Sequence, residues 1–129
     1  MAELIDAHEV HELHQILVQA AGVAPKESRK VLGKGALNIK TDARRRISGH
    51  PHAPAYPYAI TYDTHETATG SWAEIGPDKD KRQGALGNIL EFGTVKNPPI
   101  PHMRPAADAE EPKFAAAMQA LAVKVTGLG

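Results

Sequence analysis

The sequence predicts a single α+β domain, and three observations lead to this prediction. Two segments in the first half of the chain and one at its end place apolar residues at helical spacing. Between them, a short segment alternates apolar and polar residues, which is typical of a β-strand. At 129 residues the chain can bury one core of modest size, so we expect one domain over residues 1–129.

A pair of helices is expected at the start of the chain. Residues 3–21 have helical periodicity and are followed by Gly22, a favourable residue just after a helix. The second helix begins near Pro25, since proline is favoured at the first helical position, and it stops at Ser48 and Gly49. Its predicted apolar face consists of Val31, Leu32, Ala36, Ile39, Ala43 and Ile47.

The middle of the chain is expected to form a small antiparallel β-hairpin. Alternation over residues 58–62 predicts the first strand, and a second strand is expected around residues 71–75. Residues 85–92 fit either a short helix or a strand. Proline content and polarity predict three loops, at residues 50–57, 63–70 and 78–84.

The last helix has the clearest periodicity. Its start is ambiguous, because Pro112 either opens the helix or kinks one that begins at Pro105. Acidic residues lie near its start and Lys124 near its end, and both signs suit the helix dipole. We expect this helix to pack on the sheet and on the second helix through Phe114, Met118, Leu121 and Val125.

A proline-rich arm over residues 94–104 leads to the last helix. Its prolines fix φ and lack an N–H group, so we expect an extended, polyproline-like connection. Gly93 precedes the arm, and we expect a turn of positive φ there. Because a segment fixed in advance loses little entropy on docking, the arm is the predicted contact with a neighbouring molecule. The expected interface residues are Glu91, Phe92, Gly93, Val95, Pro98, Pro99, Ile100, Pro101, Met103 and Arg104.

Glu91 stands beside this turn, and two roles are open for it. A catalytic carboxylate needs a second acid, a histidine or a metal at a defined distance, and His102 is the nearest such residue. The simpler role is a hydrogen bond or ion pair that locks the turn, with Arg104 as a candidate partner. The sequence contains no Gly-rich phosphate loop, nucleophile elbow or paired acids, so we expect no enzymatic activity and no cofactor.

The composition favours no charged partner. Fifteen basic and fifteen acidic residues cancel, so no overall charge attracts nucleic acid or a membrane surface. The chain has no cysteine, which excludes disulfides and thiolate chemistry. The first residues do not resemble a secretory signal, and no apolar stretch approaches the ~20 residues of a membrane span.

Histidines in the first predicted helix suggest a metal site. His8, His11 and His14 follow a His-Glu-x-His spacing, whereas the metalloprotease pattern is His-Glu-x-x-His. Because His8 and His14 differ by about 240° around a helix, the three side chains cannot all face one ion. We therefore expect a solvated or interface face without a metal, with a small metal-dependent hydrolase as the alternative.

The only basic cluster is Arg44–Arg46, at the end of the second predicted helix. Three successive residues spread over about 200° of a helix, so at most two can address one row of phosphates. A solvated helix end is the favoured interpretation. Pairing with an acidic neighbouring subunit and contact with DNA, as in a nucleic-acid-binding module, are the alternatives.

One segment resembles a known family. Residues 90–94, Leu-Glu-Phe-Gly-Thr, followed after a proline-rich gap by residues 101–106, Pro-His-Met-Arg-Pro-Ala, look like the "gp ten-like" proteins of long-tailed bacteriophages. These are small head–tail joining or tail-completion proteins of the virion neck. The resemblance implies a structural virion protein, present in the host cytoplasm during assembly, that forms a ring between the capsid portal and the tail tube.

The resemblance also implies partners. The chain is expected to form a cyclic homo-oligomer, with a hexamer as the implied state, and to contact connector or stopper proteins on one side. Tail terminator or tail tube proteins would lie on the other side, and DNA would pass through the lumen without specific binding. A tail terminator that caps the tube is the alternative within this class, and no membrane is involved.

Overall fold

The computed structural model describes residues 25–67 and 70–126, which form the predicted α+β fold. The predicted helix over residues 3–21, and therefore the helix pair, lies outside the described residues. Two 3₁₀ turns, Tyr56–Ala59 and Gly84–Leu86, connect the main elements. Those elements are, in order, α1 (Pro25–Ile47), β1 (Ile60–Thr67), β2 (Gly70–Pro77), α2 (Gly87–Phe92) and α3 (Met103–Thr126).

Helix α1 lies at the centre of the fold, because the hairpin and α3 both pack against it. Its predicted apolar face is confirmed, and only Val31 of that set remains partly exposed. Complete burial of a leucine or isoleucine side chain contributes about 1.5–3 kcal/mol each. The buried members are Leu32, Ala36, Ile39, Ala43 and Ile47.

The hairpin pairs β1 and β2 antiparallel along their whole length, from Ile60 opposite Pro77 to Thr67 opposite Gly70. The prediction of a loop over residues 63–70 is therefore wrong for residues 63–67, which belong to β1, and for Gly70, where β2 begins. These residues are polar because this half of the strand faces solvent, and not because it lacks regular structure. Its threonines also suit a strand, since β-branched residues are favoured there.

Helix α3 packs against α1 through a buried face that includes Phe114, Met118 and Leu121, as predicted. The side chain of Val125 lies outside the described residues. The two helices approach closely at Gly35, where an added Cβ atom would lie 2.9 Å from Cδ1 of Phe114. Packing of helix on sheet is present, but α1 provides it, whereas the last helix packs mainly on α1 and not on the sheet as expected.

The start of α3 settles the two alternatives for its prolines. The helix begins at Met103, so Pro105 falls in its first turn and Pro112 lies inside it. The predicted arm over residues 94–104 is therefore too long, because Met103 and Arg104 already belong to the helix.

Candidate interface site

Three polar side chains meet inside the protein where the arm joins α3. Glu91 is 5% exposed, while His102 and Tyr56 are completely buried. The Tyr56 hydroxyl lies 2.7 Å from Nε2 of His102, and Nδ1 of His102 lies 3.0 Å from Oε1 of Glu91. We call Tyr56, Glu91 and His102 the polar cluster. It links the turn before β1 to the end of α2 and the beginning of α3.

Glu91 caps helix α3 from a distance. Its Oε1 accepts hydrogen bonds from the backbone N–H groups of His102, at 3.1 Å, and Met103, at 3.0 Å. Its Oε2 accepts a third bond, at 3.3 Å, from the N–H group of Arg104. The first N–H groups of a helix have no partner within the helix, and a negative charge there suits the helix dipole. The carboxylate therefore holds the end of the arm onto the body.

The predicted role of Glu91 as a specific polar contact is confirmed, and the candidate partner Arg104 takes part through its backbone N–H group. The side chain of Arg104 instead donates from Nε to Asp108, at 3.2 Å. Glu91 uses the backbone at the start of α3 because the residue before Met103 is a histidine, which is not one of the usual capping residues.

His102 is neutral in the fold. Burial lowers the pKa of His102 and outweighs the opposite effects of the Ile100 carbonyl and the Glu91 carboxylate. Nδ1 lies 2.9 Å from the Ile100 carbonyl oxygen, an acceptor, so it carries the proton and donates. Nε2 then accepts the hydrogen bond from the Tyr56 hydroxyl. The cluster is sealed from solvent, and this geometry supports a structural role for His102.

Gly93 has φ +75°, which confirms the predicted turn of positive φ. A Cβ atom at Gly93 would lie 2.7 Å from both the Asn97 carbonyl oxygen and the Pro99 nitrogen, because the arm folds back over this glycine. The Thr94 N–H group donates to the Asn97 carbonyl at 2.8 Å. Farther along, the Ile100 N–H group donates to the Leu90 carbonyl at 2.7 Å. The arm is thus a loop closed at its base.

The prediction of an extended arm is wrong for residues 94–97. The Thr94 hydroxyl accepts hydrogen bonds from the N–H group of Asn97, at 3.1 Å, and from that of Lys96, at 3.3 Å. This local turn bends the chain before the prolines begin. Proline content alone could not reveal it, because the deciding contact comes from a threonine side chain.

The predicted interface residues divide into an inner and an outer group. Glu91 and Met103 are buried and serve the cap and the core, so they leave little surface for a neighbour. Ile100 is partly buried against the core. Gly93 is also partly exposed, and the remaining predicted residues are exposed: Phe92, Val95, Pro98, Pro99, Pro101 and Arg104.

The exposed apolar part of this region includes one residue that was not predicted. Ile89 is 46% exposed and lies one helical turn before Phe92, which is 37% exposed. Val95 is fully exposed at the tip of the loop. We call Ile89, Phe92 and Val95 the arm surface. Ile89 was missed because the sequence did not distinguish a helix from a strand here, and only a helix places residues three apart on one face.

The arginines of the basic cluster are engaged locally. Arg44 donates from Nε, at 3.0 Å, and from its terminal nitrogen, at 2.8 Å, to the Ile60 carbonyl, which ties the end of α1 to β1. Arg45 and Arg46 both bond to Asp42. Burial alone would raise the pKa of Asp42, but the two arginine hydrogen bonds outweigh it and lower this pKa. All three arginine side chains are thus engaged within the fold, and the Asp42 carboxylate offsets one of their three positive charges.

The metal-site hypothesis concerns His8, His11 and His14, and all three lie outside the described residues. Within residues 25–67 and 70–126, no group of three or more histidine or acidic side chains could hold a metal ion. Among the described residues, no helix is both long enough and apolar enough to cross a membrane.

Comparison of the chain with protein-family models, curated proteins and solved structures finds no match.

Proposed function

We propose that the protein is a structural component of a bacteriophage neck, where it forms a ring that joins the capsid portal or connector to the tail tube. The resemblance of residues 90–94 and 101–106 to the "gp ten-like" proteins motivates this function. The observation that carries it is the arm surface, which consists of exposed apolar side chains on α2 and on the loop that follows it, and the base of this loop is fixed by buried contacts.

The arm surface suits docking on an adjacent ring. Apolar side chains in water gain free energy when a partner covers them, at about 25 cal/mol per Å² of apolar area. A loop that is already ordered loses less entropy on binding than a flexible one. The Glu91 cap and the turn at Gly93 provide that order before any partner arrives. Because all three members of the polar cluster are buried, the region supports assembly better than catalysis.

The test uses the phage that encodes the chain. The purified virion should contain the protein, and loss of its gene should leave filled heads and complete tails that do not join. Tails of irregular length would instead favour the tail terminator alternative, because an uncapped tube can continue to grow. Absence of the protein from purified virions would refute the neck assignment.

A pair of matched substitutions tests the arm surface itself. Val95→Asp should leave the fold intact, because Val95 makes no buried contact, but it should reduce the joining of heads to tails. Val123→Asp is the control, since Val123 is also an exposed valine and lies about 30 Å along α3 from the arm. Normal joining with Val95→Asp, in particles that contain the variant, would exclude the arm as the docking element.

A further inference from the structure

The outward face of the hairpin is acidic and carries the only tryptophan of the chain. Side chains alternate along a strand, and Ser71, Ala73 and Ile75 face inward because they are buried. The residues that alternate with them, Trp72 and Glu74, therefore face outward, as do the residues paired with these two on β1, His65 and Asp63. We call Asp63, His65, Trp72 and Glu74 the acidic face.

The carboxylates of this face are poorly compensated within the described chain. Asp63 lies directly opposite Glu74, and like charges at directly opposed positions destabilise a hairpin. Neither has a lysine or arginine partner among the described residues, although Nε2 of His65 lies 3.9 Å from Oε2 of Glu74. Beside the carboxylates, the rings of His65 and Trp72 stack with centroids 4.3 Å apart. The face thus combines an aromatic platform with a place for a cation.

The outward face of α1 has the complementary chemistry. Lys30, Gly33, Lys34 and Leu37 follow the spacing i, i+3, i+4, i+7, so they share one side of the helix, opposite its buried side. We call these four residues the lysine face. Lys34 is exposed, and the Lys30 side chain is 66% exposed, 3.8 Å from Glu27. Leu37 is also exposed, which adds an apolar contact to the two charges.

Gly33 leaves a gap between the two lysines on the outward side of α1. Glycine within a helix costs about 1 kcal/mol relative to alanine. Nothing in the described chain requires that cost here, because an added Cβ atom would meet nothing within 4 Å. A missing side chain between two lysines does, however, leave a gap in which a flat aromatic ring can approach the helix.

We infer that the acidic face of one copy docks on the lysine face of the next copy, and that this contact builds the ring proposed above. Lys30 and Lys34 are about 6 Å apart along the helix, and the opposed Asp63 and Glu74 are about 5 Å apart. The two pairs therefore match in charge and spacing, and in the contact we infer the indole of Trp72 would fill the gap at Gly33.

The second copy is the partner because of where the two faces lie. The hairpin covers the buried side of α1 with its inner surface, so the two outward faces point away from each other. A chain cannot join its own faces, whereas a head-to-tail contact can repeat between identical chains and forms a ring where the rotation from copy to copy closes. Nucleic acid fits less well, since the acidic face would repel it and the arginines of α1 are engaged.

The first experiment uses the full chain without substitutions. A carbodiimide joins a lysine amine directly to a carboxylate in contact with it, and a mixture of isotope-labelled and unlabelled protein shows whether the joined peptides come from different copies. We expect cross-links between the lysine face and the acidic face in mixed-isotope pairs, decreasing as salt is added. Cross-links from the lysine face to residues 1–24, which contain four acidic residues and no lysine or arginine, would overturn the inference.

The second experiment separates association from folding. Gly33→Gln should raise the melting temperature, because glutamine is a better helix former, yet weaken self-association by about tenfold or more by filling the gap. Lys34→Glu should weaken self-association similarly, and Lys34→Glu with Asp63→Lys should restore it. Lys113→Glu, an exposed change on α3, is the control and should leave association unchanged. Self-association of Gly33→Gln as strong as that of the unmodified chain would overturn the contact. So would a chain that binds DNA through Lys34, shown by DNA binding that is lost in Lys34→Glu and not restored in the double variant.

These outcomes are independent of the neck assignment. Cross-links between the two faces in a protein that is absent from virions would support the contact and refute the proposed function. A protein present in the neck without such cross-links would support the function and refute the contact.

Discussion

Replacement of Glu91 is the most informative perturbation of the fold. Glu91→Ala removes the acceptor of three backbone hydrogen bonds at the start of α3, two of which are buried. A buried donor left without an acceptor costs about 1–3 kcal/mol, and removal of one partner from a buried charged network costs about 3–5 kcal/mol. We expect Glu91→Ala to lower the free energy of unfolding by about 3–5 kcal/mol, a large part of the total for a domain of this size.

Glu91→Gln is the matched control, because it keeps the shape of the side chain and removes the charge. One oxygen can still accept from His102 and Met103, but the amide nitrogen must then face the N–H group of Arg104. The loss should be about 1–2 kcal/mol, smaller than for alanine. Urea denaturation measures both losses of unfolding free energy, provided that the variants and the unmodified protein have equal m-values. A loss below ~1 kcal/mol for Glu91→Ala would refute the cap as the element that fixes the arm.

Three further predictions concern the core and the polar cluster. Phe114→Ala should cost about 3–5 kcal/mol in denaturant melts, since the ring is buried between the helices, and a loss below ~1 kcal/mol would contradict this role. Gly35→Ala should destabilise the protein by about 1–3 kcal/mol, because the added Cβ atom would meet Phe114. Gly33→Ala should instead stabilise it by up to ~1 kcal/mol, because alanine is the better helix former and nothing lies in its way. Equal effects at the two sites would refute the close approach of the helices. The pKa of His102 is lowered from 6.5 in the fold, so below pH 6.5 the unfolded chain takes up a proton at this residue before the folded chain does. The contribution of neutral His102 to the free energy of unfolding is therefore complete above pH 6.5 and is lost as the pH falls toward the lower folded pKa. His102→Gln should therefore flatten the decline of stability below pH 6.5 that the unmodified protein shows, and parallel pH profiles would contradict this assignment.

Sequence periodicity was sufficient where a long element buries one face. Helix α1 and the buried face of α3 follow from residues repeated at helical spacing, because many side chains report the same geometry. The extent of β1 was not predictable in this way. Residues 63–67 are exposed on both faces of the strand, so their polarity gave no alternation, and only backbone pairing with β2 reveals the strand.

The candidate site shows a different limit. Glu91 and the N–H groups that it accepts are 11 to 13 residues apart, and the turn at Gly93 together with the fold of the arm brings them together. No local pattern encodes that contact. The missing capping residue before Met103 was a usable signal, since a helix start without a local acceptor needs one from elsewhere. His102 was harder to place, because a histidine among prolines gives no sign that it will be completely buried.

The closed base of the arm also determines where the chain can grow. The bond from Ile100 to Leu90 and the Glu91 cap hold the two ends of the loop together, while Val95 and Lys96 at its tip are exposed. Lengthening a loop whose ends are already fixed costs only about 0.6 kcal/mol for each doubling of its length. Extra residues between Val95 and Lys96 would therefore alter the arm surface and leave the core unchanged. The tip of the arm is the position where related chains could diverge to fit different partners, and where a peptide tag could be inserted.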